Sequence, residues 1–298
     1  MTLSVTSKRD STSSPPAHGT LPTFIVVGTQ KSGTTTLQHH LSRHPDVYMA
    51  PNEVHFFTRY FDRGTDWYRA QFAEGIGRKA VGEKTPTYSS IHVKPEAPSR
   101  IAAVVPDAKL VWIFREPVVR AHSHWWHAVR AGSETLGFEA ALAEGQARLK
   151  TTPARAYLER SAYVEQVRAY LDHFPREAMY FCLLEDLARD PDFVIRPLLA
   201  FIGVDPNRQP ALRSEIVVNT GSGRDRGSLR AFFRGLVRVS QRHVRRSQPT
   251  LAYEALDDAL WRRLAERFVE HNRELAALTG LDLQSWRSFP DAAEGLDT

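Results

Sequence analysis

Five residues carry side chains suited to anion binding or proton transfer and stand at places where the local sequence implies a strand end or a turn: Lys31, Glu53, His55, Lys84 and Arg115. Cations gathered at such ends can receive an anion, and a carboxylate beside an imidazole can move a proton. Lys31 lies within Gly28-Thr-Gln-Lys-Ser-Gly33-Thr34-Thr35, which nearly meets the phosphate-loop pattern G-x-x-x-x-G-K-[ST] but carries Thr34 where the lysine belongs. The lysine has moved into the loop. Gly28 and Gly33 bracket a turn where the backbone approaches something closely, and Ser32, Thr34 and Thr35 add hydroxyls at a helix start whose N–H groups and dipole favour an anion. The glycines alone would fit any strand-to-helix turn. Lys31 and the hydroxyls turn the reading toward a phosphate cradle, though not that of an ordinary ATPase or GTPase.

Glu53 and His55 follow the short apolar run Val47-Tyr-Met-Ala50, and in extended backbone residues two apart project on one side. Beside a phosphate loop they are candidates for acid/base work; the alternative is that Glu53 pairs with the loop while His55 packs inside. Lys84 ends the run Lys79-Ala-Val-Gly-Glu-Lys84, so it points toward the same crevice. Arg115 follows Lys109-Leu-Val-Trp-Ile-Phe114, where a nucleotide kinase would more often carry a metal-binding acid. Ser123 comes eight residues later, on a helix opened by Pro117.

These residues need a scaffold that collects strand ends. Short, continuous apolar runs at 21–27, 47–50, 79–84, 109–114 and 178–184 read as buried parallel strands, and the segments between them carry helical periodicity, as in Tyr163, Val167, Tyr170 and Leu171. The expected fold is α/β, a three-layer P-loop-like arrangement with a central parallel sheet flanked by helices. Helices are expected near 138–146, 161–174 and 192–202, and a long one over 255–278 closed by Gly280. Asn219 to Ser228 reads as a flexible, glycine-rich basic loop. Arg230, Arg234, Arg238, Arg242 and Arg246 then recur every four residues, a cationic stripe on a helix spanning about 229–246. Such a stripe is a solvated face, or it rests on anionic lipid or an anionic acceptor.

At 298 residues with 42% hydrophobic content the chain can build one large core, and a single domain over 21–290 is expected between tails at 1–20 and 291–298. The Ser-, Thr- and Pro-rich start has no apolar segment of a signal peptide and reads as disordered. The net charge of +5 favours anionic partners without indicating nucleic acid. The single cysteine, Cys182, excludes an intrachain disulfide and a cysteine-based zinc site, and fits a reducing, cytoplasmic location.

Taken together, Gln30-Lys31-Ser-Gly-Thr-Thr35, Glu53-Val-His-Phe-Phe57, Gly82-Glu-Lys84-Thr-Pro86 and Arg115-Glu-Pro-Val-Val-Arg-Ala-His-Ser123 resemble the sulfotransferases that use 3'-phosphoadenosine 5'-phosphosulfate (PAPS), in particular the heparan sulfate N- and O-sulfotransferase branch and its bacterial relatives. The resemblance runs from about Pro22 to Trp286. It implies that Lys31, Ser32, Gly33, Thr34 and Thr35 bind the 5'-phosphosulfate of PAPS, and that Arg115 and Ser123 hold its 3'-phosphate. It further implies that Glu53 is the catalytic base with His55 beside it, that Lys84 lines the sulfuryl site, and that Gly223 and Arg224 belong to a late loop closing over the cofactor. No metal is implied, the released product is adenosine 3',5'-bisphosphate (PAP), and the acceptor is a small-molecule or glycan hydroxyl or amine. Two rival classes are a P-loop kinase using Mg-ATP, against which the displaced lysine and Arg115 speak, and a nucleic-acid-binding protein, for which interleaved stacking aromatics are missing.

Overall fold

A computed structural model describes residues 19–212, 215–219, 224–228 and 256–289. Phe24–Gly28 (β1), Val47–Met49 (β2), Ala80–Lys84 (β3), Lys109–Phe114 (β4) and Met179–Leu183 (β5) form a parallel sheet in the order β2-β3-β1-β4-β5. All five residues of β1 and of β3 are buried, as strands covered on both faces must be. Side chains of β1 alternate between two cores. Phe24 and Val26 pack with Leu37 and Leu41 of helix Thr34–Leu41 (α1), whereas Ile25 and Val27 face a layer containing Phe56, Phe57, Tyr68 and Tyr170. The same alternation in β4 sends Trp112 and Phe114 to the second core and Val111 and Ile113 to the first. Helices on both faces complete the three layers expected from the sequence.

The strand order decides where a ligand can sit. From β1 the chain moves outward to β2, returns to β3 beside β1, and then crosses to β4 on the other side. Order reverses at β1, so a crevice opens beyond its carboxyl end. Register aligns Val26 with both Lys84 and Val111, which brings the residues after β1, at the end of β3 and after β4 to one rim. β2 ends at the same rim and delivers Glu53.

Several elements differ from the sequence expectations. The helix that Pro117 opens runs to Arg130 (Pro117–Arg130, α2), with the Glu116 side chain accepting from the Val119 N–H as its cap. The segment 138–146 instead holds two short helices, Phe138–Ala143 and Gly145–Thr151. The long C-terminal helix is two, Asp258–Glu266 and Val269–Thr279, the second closed by left-handed Gly280. No proline breaks it. Trp261, Leu264 and Phe268 belong to a third core with α2, while Leu275 belongs to the core under β4, so the chain turns at Arg267–Phe268 to serve both. Asn219 to Ser228 is in part strand rather than loop: Glu215–Asn219 pairs antiparallel with Arg224–Ser228, Glu215 opposite Ser228. Gly223, the arginine stripe and both predicted tails beyond Gly19 and Phe289 lie outside the described residues. Among the described residues, no helix is long and apolar enough to cross a membrane.

Candidate active site

The loop after β1 is fastened to the sheet before it turns. The Thr29 N–H donates to the Ile113 carbonyl at 2.8 Å, its hydroxyl donates to the same oxygen at 3.1 Å, and the hydroxyls of Thr29 and Ser32 meet at 2.6 Å. Lys31 and Gly33 take positive φ, 72° and 89°, to bring the chain into α1. At Gly33 a side chain would also meet Leu184, whose Cδ1 lies 2.5 Å from where a Cβ would stand. No side-chain hydrogen bond caps α1 and its first turn holds no acid, so the positive end of the helix dipole is not offset from within the helix. Thr34 is buried and Thr35 half-buried on that turn.

Three arginines reach this loop. Arg115 donates to the carbonyl of Lys31 at 3.3 Å and Arg120 to that of Gln30 at 3.4 Å, while Arg160 grips the Gln30 side chain at 2.9 Å and Ser90 Oγ at 2.6 Å. Arg120 also donates to Ser161 Oγ at 2.6 Å and to the Tyr157 carbonyl. The hydrogen-bond partners of Arg120 and Arg160 are therefore neutral, and both guanidinium groups are buried. His124 lies between them, within 3.5 Å of each, and burial followed by their charges holds its imidazole well below the usual range. The peptide whose Gln30 carbonyl turns back toward Arg120 points the Lys31 N–H the other way. The Lys31 ammonium is drawn down to about 8, first by burial and then by Arg115, Arg130 and Arg120, with Glu53 opposing. This is a site carrying more positive charge than it can comfortably hold alone. Ser123 is half-buried on α2.

Across the crevice, Glu53, His55 and Lys84 meet as the sequence suggested, but for another reason. His55 is not extended: at φ 54° it starts a tight turn, Phe56–Tyr60, whose Arg59 N–H bonds back to the His55 carbonyl at 2.8 Å. Glu53 Oε1 lies 3.5 Å from Lys84 Nζ, and Oε2 lies 3.3 Å from His55 Nε2. Glu53 does form a salt bridge, as the alternative reading held, yet with the site's own Lys84, and it accepts a hydrogen bond from the imidazole. Its side chain remains 37% exposed while that of Lys84 is 8% exposed, so the carboxylate is the member an incoming molecule can reach. Burial, then Arg59 and Lys84, lower the His55 pKa against the pull of Glu53. A neutral His55 must donate from Nε2 to the carboxylate, which leaves Nδ1 to accept from the Thr87 hydroxyl at 3.3 Å.

Sequence reasoning passed over the layer beneath. Glu83, fully buried in β3, accepts hydrogen bonds from Tyr68, from Thr85 at 2.8 Å and from Tyr88 at 3.2 Å, and burial pushes its carboxyl up to about 7 against those donors. The available signal was an acid inside an otherwise apolar central strand, which must find partners when buried. Arg120 and Arg160 were likewise visible as charges but not as buried ones.

A lysine-bearing loop at the switch point of a parallel sheet, faced by a reachable carboxylate carried in after the edge strand β2, is the arrangement of a P-loop-like fold. The chain belongs to the PAPS-dependent sulfotransferase family: the model named "Sulfotransferase domain" matches residues 21–220. Among curated proteins it is similar to mouse heparan sulfate glucosamine 3-O-sulfotransferase 3B1, 29% identical over 267 residues, covering 88% of this chain and 64% of that protein. It is also similar to mouse heparan sulfate glucosamine 3-O-sulfotransferase 6, 33% identical over 190 residues, covering 63% of this chain and 54% of the relative. The chain thus spans somewhat under two thirds of the length of these relatives. Among solved structures, a sulfotransferase from Alicyclobacillus acidocaldarius superposes with a TM-score of 0.68 at 29% identity, over 89% of this chain and 98% of that one. Family membership sets the kinase alternative aside.

Proposed function

We propose that the protein moves the sulfuryl group of PAPS in line to a hydroxyl or amine of a carbohydrate, or of a glycosylated or lipid-linked metabolite, with Glu53 as general base. The observation that carries this reading is the Glu53 carboxylate, held by Lys84 and His55 at the mouth of the lysine-bearing loop. Lys31, Ser32, Gly33, Thr34 and Thr35 would receive the phosphosulfate, Lys31 neutralising charge that develops on the leaving phosphate oxygen. A donor of that kind is worth on the order of a hundredfold to a thousandfold. Arg115 and Ser123 would hold the 3'-phosphate, and Gly223 and Arg224 would border the nucleotide. A sulfuryl group carries less negative charge than a phosphoryl group, so lysines and amides suffice to stabilise its transfer. Bound PAPS would supply the activated sulfuryl group; the chain's cations supply a fitting cradle for it.

For the acceptor, a cavity of about 420 Å³ opens beside Glu53 and is bordered by Asn52, Tyr60, Trp67, Gln71 and Glu74. Two rings and two carboxamides suit a sugar, whose faces are apolar and whose rim is hydroxyl. The names of the similar proteins, which act on heparan sulfate glucosamine, support a carbohydrate hydroxyl in this cavity. The single cysteine, buried Cys182, is in keeping with a reducing, cytoplasmic location.

The test is calorimetric titration with PAP in EDTA, repeated on Arg115→Ala. Metal-free binding that weakens at least tenfold in the variant supports the reading. A folded protein that ignores PAP would end it.

A further inference from the structure

The Glu53–His55 segment is held in place by a hydroxyl whose own orientation is set from below. Thr85 lies just past β3, and its Oγ1 accepts two backbone N–H groups, those of Val54 at 3.2 Å and His55 at 3.4 Å. A hydroxyl has one hydrogen, and here it is committed elsewhere, to Glu83 Oε2 at 2.8 Å. Ionised Glu83 can take it because a carboxylate only accepts, and the Tyr68 and Tyr88 hydroxyls donate to it as well, the three donors favouring the ionised form against the burial that raises its pKa to about 7. Donors therefore run one way through the network, from the Val54 and His55 amides to Thr85 and from Thr85 to Glu83. The next residue of the strand after Glu83 is Lys84, which reaches Glu53 from the other side.

We propose that Glu83 and Thr85 are positioning residues for sulfuryl transfer, a buried clamp that fixes the Glu53–His55 turn against Lys84. The proposal rests on the sulfotransfer reading of the site. Two features require such a clamp. His55 is held at φ 54°, a left-handed conformation that side-chain-bearing residues disfavour. Glu53 is 37% exposed, so its carboxylate gains little orientation from packing and takes it from Lys84 and His55, the latter placed by the backbone that Thr85 holds. An imprecision of about 1 Å in a catalytic group is enough to cost roughly a hundredfold in rate. The clamp is rigid because Tyr68 and Tyr88 are buried in the aromatic layer with Phe56 and Phe57, whose rings lie 4.4 to 5.3 Å from theirs. Glu83 thus joins the apolar core to the reacting rim through one hydroxyl.

Thr85→Val keeps the shape of the side chain and removes the hydroxyl; Thr85→Ser restores it. Three quantities are measured on both variants and the wild type: PAP affinity by calorimetry, kcat with PAPS and an N-sulfated heparosan oligosaccharide as the probe acceptor, and the His55 imidazole titration by NMR. Thr85→Val is expected to bind PAP within about twofold of wild type, to lose 10- to 100-fold in kcat, and to let the His55 pKa rise toward the ordinary histidine value. Thr85→Ser should recover both. Wild-type kcat and an unmoved His55 titration in Thr85→Val would overturn the clamp, and so would a parallel loss of PAP affinity, which would mark a general collapse of the rim. If the wild type bound no PAP and transferred nothing, the sulfotransfer reading would fail instead, while the His55 titration would still decide whether Thr85 fixes the turn.

Discussion

Binding of PAP is expected to be linked to a proton through Lys31. In the free protein its ammonium is drawn down to about 8 by burial and by Arg115, Arg130 and Arg120. An anion seated on the loop offsets the arginine charges and favours the ammonium directly, which outweighs the burial and returns the lysine toward its ordinary value near 10.5. The sign follows from linkage: below about pH 8 both states carry the proton and affinity is flat, whereas above it the free state has lost a proton that the complex must regain. With those two values, roughly one free protein in ten still carries the Lys31 proton at pH 9, so affinity there should be about tenfold weaker than at pH 7, or about 1.4 kcal/mol. Phosphate groups do not produce this slope, because their second ionisation lies near pH 6. Calorimetry at pH 7, 8 and 9, in buffers of differing ionisation enthalpy, reads both the affinity and the proton taken up, about half a proton at pH 8. Lys31→Met should bind more weakly and without the slope, which separates the lysine from the buried guanidinium groups. Affinity that stays level from pH 7 to 9, or a slope that persists in Lys31→Met, would refute the reasoning.

Three further outcomes are expected. Glu53→Gln should keep PAP affinity within about twofold yet lose a hundredfold to ten-thousandfold in kcat, the usual worth of a general base; near-wild-type turnover in single-turnover assays would remove Glu53 from that role. Trp67→Ala, at the cavity beside Glu53, should raise KM for an oligosaccharide acceptor about tenfold and leave the KM for PAPS alone, which steady-state kinetics in both substrates would check. Far from the site, burial disfavours the Glu134 carboxylate, but Arg148, the Leu136 N–H and the Tyr157 hydroxyl hold its pKa down to about 2. Its stabilisation is present above the unfolded value of 4.5 and is lost as pH falls toward 2. Glu134→Gln should therefore cost about 1.5–3 kcal/mol in urea melts at pH 7, since Arg148 loses one of its two carboxylates and keeps Glu144, and should flatten the acid limb of the stability curve.

The parts of this molecule that were legible in the sequence are those where one residue type has one meaning. Lys109-Leu-Val-Trp-Ile-Phe114 is apolar throughout because a central parallel strand is covered on both faces, and it could hardly be anything else. Lys31, Lys84 and Arg115 were readable because a cation at a strand end has little structural use. Glu83 was not, because a one-dimensional string records its charge but not the three hydroxyls that make the charge tolerable inside a sheet. The left-handed His55 was equally hidden, since no glycine or asparagine marks the turn. The break between Glu266 and Val269 was missed because both halves have good helical periodicity, and only the position of two separate cores requires the chain to bend.

Because the strand order reverses at β1, the two sides of the crevice come from different stretches of the chain. The loop after β1 and the residues after β4, with Arg160 behind them, face one side; the turn after β2 and the end of β3 face the other. On the proposed reading the first side holds the donor and the second the acceptor. Within the stretch from 50 to 76, the cavity-lining positions Tyr60, Trp67 and Gln71 can then drift without disturbing nucleotide recognition, while Glu53 and the buried aromatics stay fixed. A family built on this plan can diversify what it modifies while keeping how it pays for the modification, and exchanging those positions between relatives is the direct route to a changed acceptor.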